Sequence, residues 1–160
     1  MPILPLFFIL GALYLFSKNK AKNAMQISEK GIKFLVKHEG KKYKAYQDTK
    51  GLWTIGVGHL ILKSEPHLLT ATLNDKQVIE LLNKDIQTAQ NAINRENLQL
   101  TQNQFDSLVS FVFNVGAGAF KRSTLLKLLK QGKTQEAAQQ FARWENKKRR
   151  EDEKSLFLTA

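Results

Sequence analysis

The stretch from Glu39 to His59, EGKKYKAYQDTKGLWTIGVGH, constrains this chain more than any other. Just before it, Phe34, Leu35 and Val36 are followed by Gly40, the pattern of a short helix closed by a C-terminal glycine, with Ser28 as its N-cap. Glu39 therefore falls in the last helical turn. The partial negative charge at a helix C-terminus disfavours an ionised carboxylate, so a proton-bearing Glu39, able to donate that proton, is expected. Beyond it, Lys44–Asp48 and Leu52–Val57 read as two strands around Thr49-Lys50-Gly51, with glycine where a three-residue hairpin loop requires positive φ. If Asp48 pairs opposite Leu52, Thr54 lies further along the same face. Diagonal neighbours about 7–8 Å apart leave room for one water between carboxylate and hydroxyl.

Glu39, Asp48 and Thr54, in the pattern E-x8-D-x5-T closed by TIGVGH, resemble the catalytic signature of the phage-type lysozymes, the muramidases of T-even and lambdoid phages. The resemblance implies an α+β fold, mostly helical and lysozyme-like, with a small β-hairpin lobe, a larger helical lobe and an active-site cleft between them. It assigns Glu39 as general acid, Asp48 as the group that positions or activates water, and Thr54 as its helper. Taken singly, the three residues also read as a solvated Glu, an Asx-turn Asp and a strand Thr. His59 either supports the site or is a hydrogen-bonded histidine at a strand end. Leu60, Phe113 and Ser123 fall at substrate-contacting positions of the family, with a purely structural role for each left open.

Downstream, Leu60 to Thr72 contains Pro66 and reads as loop and short extended structure. Asn74 with Gln77, and Thr101 with Gln104, form two capping boxes. The first opens a long amphipathic helix carrying Val78, Leu81, Leu82, Ile86, Ala89 and Ile93. The second opens a helix with Phe105, Leu108, Val109 and Val112 on one stripe, ended by Gly116 and Gly118. Ser123–Lys130 and Thr134–Trp144 read as two further helices, parted at Gly132. The final run NKKRREDEKSLFL matches the family's RRxxE and LFL ending at Arg149, Arg150, Glu153 and Leu156 to Leu158. Only Glu145 and Asn146 separate Trp144 from it, where relatives have a longer loop. Because Glu151, Asp152 and Glu153 follow Lys147–Arg150 at once, that basic run is expected to be a solvated helical face.

A chain of 160 residues supports one domain, possessed of a core, and 42% hydrophobic content excludes a disordered one. Its net charge of +11 draws it to polyanions. With zero cysteines there is no thiolate nucleophile, and His38, His59 and His67 lack ligand spacing, so neither metal nor cofactor is expected. Residues 1–17, MPILPLFFILGALYLFS, carry no charged side chain and read as a hydrophobic membrane segment, marginally short for a span. Residues 18–24 form a polar linker, and 25–160 the catalytic domain. The resemblance implies a signal-anchor that tethers the enzyme to the inner membrane while the domain acts in the periplasm. Lys18, Lys20 and Lys22 argue for the opposite topology. The expected partners are peptidoglycan glycan strands and, through the N-terminal segment, an anionic membrane surface. Nucleic acid is not expected, and the chain is expected to act as a monomer. A cationic membrane-perturbing or wall-binding protein of the same fold is the rival reading.

Overall fold

A computed structural model describes residues 24–159; the expected membrane segment and all of the linker but Ala24 lie outside the described residues. The Ser28 hydroxyl caps helix α1 (Glu29–Glu39) by accepting from the Gly31 N–H at 3.1 Å, and Gly40, at φ 76°, ends it. Strands β1 (Lys42–Gln47), β2 (Trp53–Gly56) and β3 (His59–Leu60) form an antiparallel sheet in chain order. Gln47 pairs with Trp53, Tyr46 with Thr54, and Thr54 with Leu60. The Asp48 N–H donates to the Leu52 carbonyl at 2.9 Å, which is the expected pairing, and Gly51 takes the φ of 77° that the turn demands.

A 3-10 turn (Pro66–Leu69) leads to the helical lobe: α2 (Asp75–Asp85), α3 (Gln87–Asn94), α4 (Gln102–Val115), α5 (Ala117–Lys121), α6 (Thr124–Lys130), α7 (Thr134–Gln139), a second 3-10 turn (Gln140–Arg143) and α8 (Lys147–Leu158). Both capping boxes close as expected, Asn74 with Gln77 and Thr101 with Gln104. The single helix expected from Asn74 through Ile93 is instead two, broken at Ile86. The break falls beside Asp85, which is tied to His59 of β3, so that α2 packs on the sheet while α3 packs on α4. The helix expected over Thr134–Trp144 shortens to α7 and a 3-10 turn, with Trp144 already extended.

Helix α4 is the centre of the lobe. Phe105 to Phe111, and Val112 after them, are buried on every side rather than along one stripe. Three of these residues are polar, and each has a partner, as burial requires. Asp106 accepts from the Ser28 N–H at 2.9 Å, the Ser28 hydroxyl and the Gln102 amide. Ser107 donates to the Glu153 carbonyl at 2.7 Å, and Ser110 to the Glu153 carboxylate at 2.7 Å. Gly31 permits the close approach of α1 to α4, because a Cβ there would stand 2.6 Å from Asp106 Cγ.

The basic run at the start of α8 corrects the expectation of a solvated face. Lys147 and Lys148 are exposed, but Arg149 and Arg150 are buried. Local pairing does occur, since both arginines reach Glu153. Glu153 itself is wholly buried, however, and the two guanidiniums turn inward with it against α4.

Candidate active site

Glu39 ends α1 where the helical lobe meets the sheet. Its Oε1 accepts from Arg149 Nη1 at 2.5 Å. Its Oε2 lies 3.6 Å from where a Cβ on Gly58 would stand, in the turn joining β2 to β3. Gly58 has φ 71°, the left-handed conformation that glycine adopts without strain. The helix-terminus field expected at Glu39 is thus accompanied by a guanidinium of opposite sign.

Arg149 is held on three sides. Its Nε donates to Glu153 Oε1 at 3.0 Å, and its Nη2 donates to the Ser110 carbonyl at 3.0 Å and the Ser110 hydroxyl at 3.1 Å. This planar fork fixes Glu39 to both α4 and α8.

Asp48 and Thr54 share one face of the hairpin, as their register dictates. Asp48 Oδ1 accepts from the Lys50 N–H at 2.8 Å and the Leu52 N–H at 2.9 Å, which is the Asx-turn geometry that also builds the loop. Oδ2 has no partner among the described residues, so it remains an available acceptor. Thr54 is buried and its hydroxyl donates to the Leu52 carbonyl at 3.1 Å. The proton being committed, the hydroxyl's lone pairs are what it can offer. Leu60, opposite Thr54 on β3, shares that face and is exposed.

His59 points away from this face. It is buried between two carboxylates, with Nδ1 2.9 Å from Asp85 and Nε2 3.0 Å from Glu65. Burial opposes the imidazolium, but the hydrogen bonds to Asp85 and then Glu65 outweigh it and hold His59 above the ordinary imidazole range. The hydrogen bond from His59, with one from the Leu62 N–H, lowers Glu65, whereas burial raises Asp85. His59 therefore braces the sheet against α2 and the 3-10 turn, and touches none of the three candidate catalytic groups.

The other two residues lie in the helical lobe. Phe113 is half-buried near the end of α4. Ser123 is the N-cap of α6, accepting from the Leu126 N–H at 3.1 Å, and borders a surface groove of about 430 Å³ with Arg122, Arg143 and Trp144. The structure thus brings Asp48, Thr54 and Leu60 to one sheet face with Glu39 at the adjoining turn, and leaves His59 behind that face. Arg149 as the clamp on Glu39 was missed by sequence reasoning, although the arginine itself stood in a matched motif.

Comparison with known proteins places the chain in a family. The phage lysozyme family model matches residues 36–156. The chain belongs to the phage lysozyme family. It is 43% identical to an endolysin of Bacillus phage PZA over 75% of its own length, and 37% identical to a SAR-endolysin of Enterobacteria phage PA-2 over 66%. It spans 46% of the first relative and 63% of the second, less than two thirds of the length of each. A crystal structure of P22 lysozyme superposes with a TM-score of 0.78 at 37% identity, covering 84% of this chain and 99% of that one. The match confirms the mostly helical lysozyme-like fold with its small antiparallel sheet.

Proposed function

We propose that the chain is a muramidase that hydrolyses the β-1,4 bond between N-acetylmuramic acid and N-acetylglucosamine in bacterial peptidoglycan, with inversion at the anomeric carbon. What supports this is the approach of Glu39 to the β2–β3 turn of the same sheet whose hairpin bears Asp48 and Thr54. With Oε1 accepting from Arg149, Oε2, near the β2–β3 turn, is the oxygen through which a proton would be delivered. Glu39 passes it to the glycosidic oxygen as the bond to the leaving sugar breaks.

A water opposite the leaving group donates its two hydrogens to Asp48 Oδ2 and to the Thr54 hydroxyl oxygen. Both groups have acceptor capacity left once their backbone contacts are counted. The water's lone pair then faces the anomeric carbon, and Asp48 receives its proton as the new bond forms. Leu60 and Phe113 contribute apolar contact for the sugar rings, and Ser123 contributes through the α6 end of the groove. His59 supports the site at one remove, through the strand it anchors.

The chain acts as a monomer on the wall of a phage's bacterial host, reached in the periplasm. The uncharged segment 1–17 tethers it to the inner membrane and its net charge of +11 attracts it to anionic surfaces. No helix of the described residues is long and apolar enough to cross a membrane, so this reading rests on the sequence of residues 1–17.

Glu39→Gln tests the enzyme reading. Mass spectrometry of peptidoglycan digested by the native chain shows reducing muramic acid ends, and the variant releases none while melting like the native protein. Anhydro-muramic ends would instead mean that the sugar's own hydroxyl replaces water. Undiminished lysis by the variant would favour a membrane-perturbing protein.

A further inference from the structure

Arg150 heads the large side chains that are fully buried among the described residues, yet it spends its donors sparingly. Its Nη2 donates to Asn114 Oδ1 at 2.5 Å. Its Nη1 stands 3.0 Å from Glu153 Oε2, an ion pair without hydrogen-bond alignment, and its guanidinium lies 5.0 Å from the Phe111 ring centre. Burial pushes Arg150 below its ordinary range, and the carboxylates of Glu153 and then Glu39 counter it. Replacing a buried ion pair by apolar side chains is often neutral or stabilising. Stability alone therefore does not account for a guanidinium here.

Its one well-directed hydrogen bond has a clear consequence. A guanidinium only donates, so the Asn114 carbonyl must face inward and its NH2 group outward. Asn114 is exposed, next to Phe113, and one helical turn beyond Ser110, the residue through which Arg149 ties Glu39 to α4. A donor of fixed direction thus stands one turn along α4 from the Ser110 that Arg149 joins to Glu39. A sugar hydroxyl, which rotates and both donates and accepts, can meet a donor or an acceptor and is not selected by such a group. A carbonyl, which only accepts, gains most.

Resting on the muramidase reading, we propose that Asn114 is a substrate-binding residue whose Nδ2 donates to the carbonyl of an acetamido group on the glycan, and that Arg150 is the positioning residue that locks its amide.

Steady-state kinetics of the full chain on soluble, uncrosslinked glycan strands test this, with fully acetylated and chemically de-N-acetylated strands compared. Asn114→Asp keeps the shape and the partner for Arg150 but removes the donor. On acetylated strands its KM should rise about fivefold to tenfold, the loss of one neutral hydrogen bond, with kcat changed less than twofold. Asn114→Leu should show the same rise, and Asn114→Gln should recover part of it. Removing the acetyl groups should raise the native KM similarly and leave the Asn114→Asp value nearly unchanged, because the contact can be lost only once. An unaltered KM in both Asp and Leu variants, or losses that simply add on de-N-acetylated strands, would overturn the proposal. Failure of the native chain to cleave any glycan would instead overturn the muramidase reading itself.

Discussion

Arg149 offers the sharpest perturbation. It is 3% exposed and serves Glu39, Glu153 and Ser110 through four hydrogen bonds. Arg149→Met keeps much of the volume and removes every one of them. Removing one partner from a buried ion pair costs about 3–5 kcal/mol. Here Glu153 retains Arg150 at 3.0 Å and the Ser110 hydroxyl at 2.7 Å, and Glu39 gains access to water. The lower end of that range applies, about 3 kcal/mol, or a fall in Tm of roughly 6–12 °C for a domain of this size. Arg149→Lys restores a charge but not a fork, since an ammonium on a flexible stem cannot meet Glu39, Glu153 and Ser110 together. We expect it to regain part of the stability and little of the activity. Loss of the clamp lets Glu39 shift by an ångström or so, which costs on the order of a hundredfold in kcat. Thermal unfolding by circular dichroism and glycan hydrolysis well below the variants' Tm read the two effects separately. If Arg149→Met melted within about 2 °C of the native chain and kept its kcat, the clamp would be refuted.

His59, held above the ordinary imidazole range, stabilises the fold fully below its unfolded pKa of about 6.5, and that contribution is lost as pH rises through the folded value. The Tm gap between the native chain and His59→Gln should therefore be widest near pH 6 and narrow in alkaline solution; a gap flat to pH 9 would count against the bridge. Gly31→Ala sets two effects in opposition, a helix-propensity gain of about 1 kcal/mol and the clash of a Cβ 2.6 Å from both Asp106 Cγ and Ile27 Cγ1. Overpacking of that severity costs about 1–3 kcal/mol and also disturbs the Ser28–Asp106 contact, so a lower Tm is expected and a higher one would show that α1 can retreat.

Features whose causes are local were the legible ones. Ser28, Asn74 and Thr101 cap their helices because the partner N–H lies three residues on, and Gly51 sets the hairpin register within a few residues. The placement of Asp48 and Thr54 on one hairpin, with Glu39 at a helix end nearby in the chain, was legible for the same reason. The fate of Arg149 and Arg150 was not legible. Their acidic neighbours at helical spacing have the pattern of a solvated face, while the groups that draw them inward lie far off in sequence. Glu39 is 110 residues from Arg149, Ser110 is 39 from it, and Asn114 is 36 from Arg150. Likewise, nothing in the periodicity of residues 74–93 marks the break at Ile86, beside the Asp85 that meets His59 across 26 residues.

The mechanism turns on whether water, held by Asp48 and Thr54, attacks opposite the group protonated by Glu39. Proton NMR of the first sugar released from soluble glycan, recorded before mutarotation, reads this directly. Attack by that water gives the α anomer, inverted from the β linkage; a β anomer as first product would rule it out.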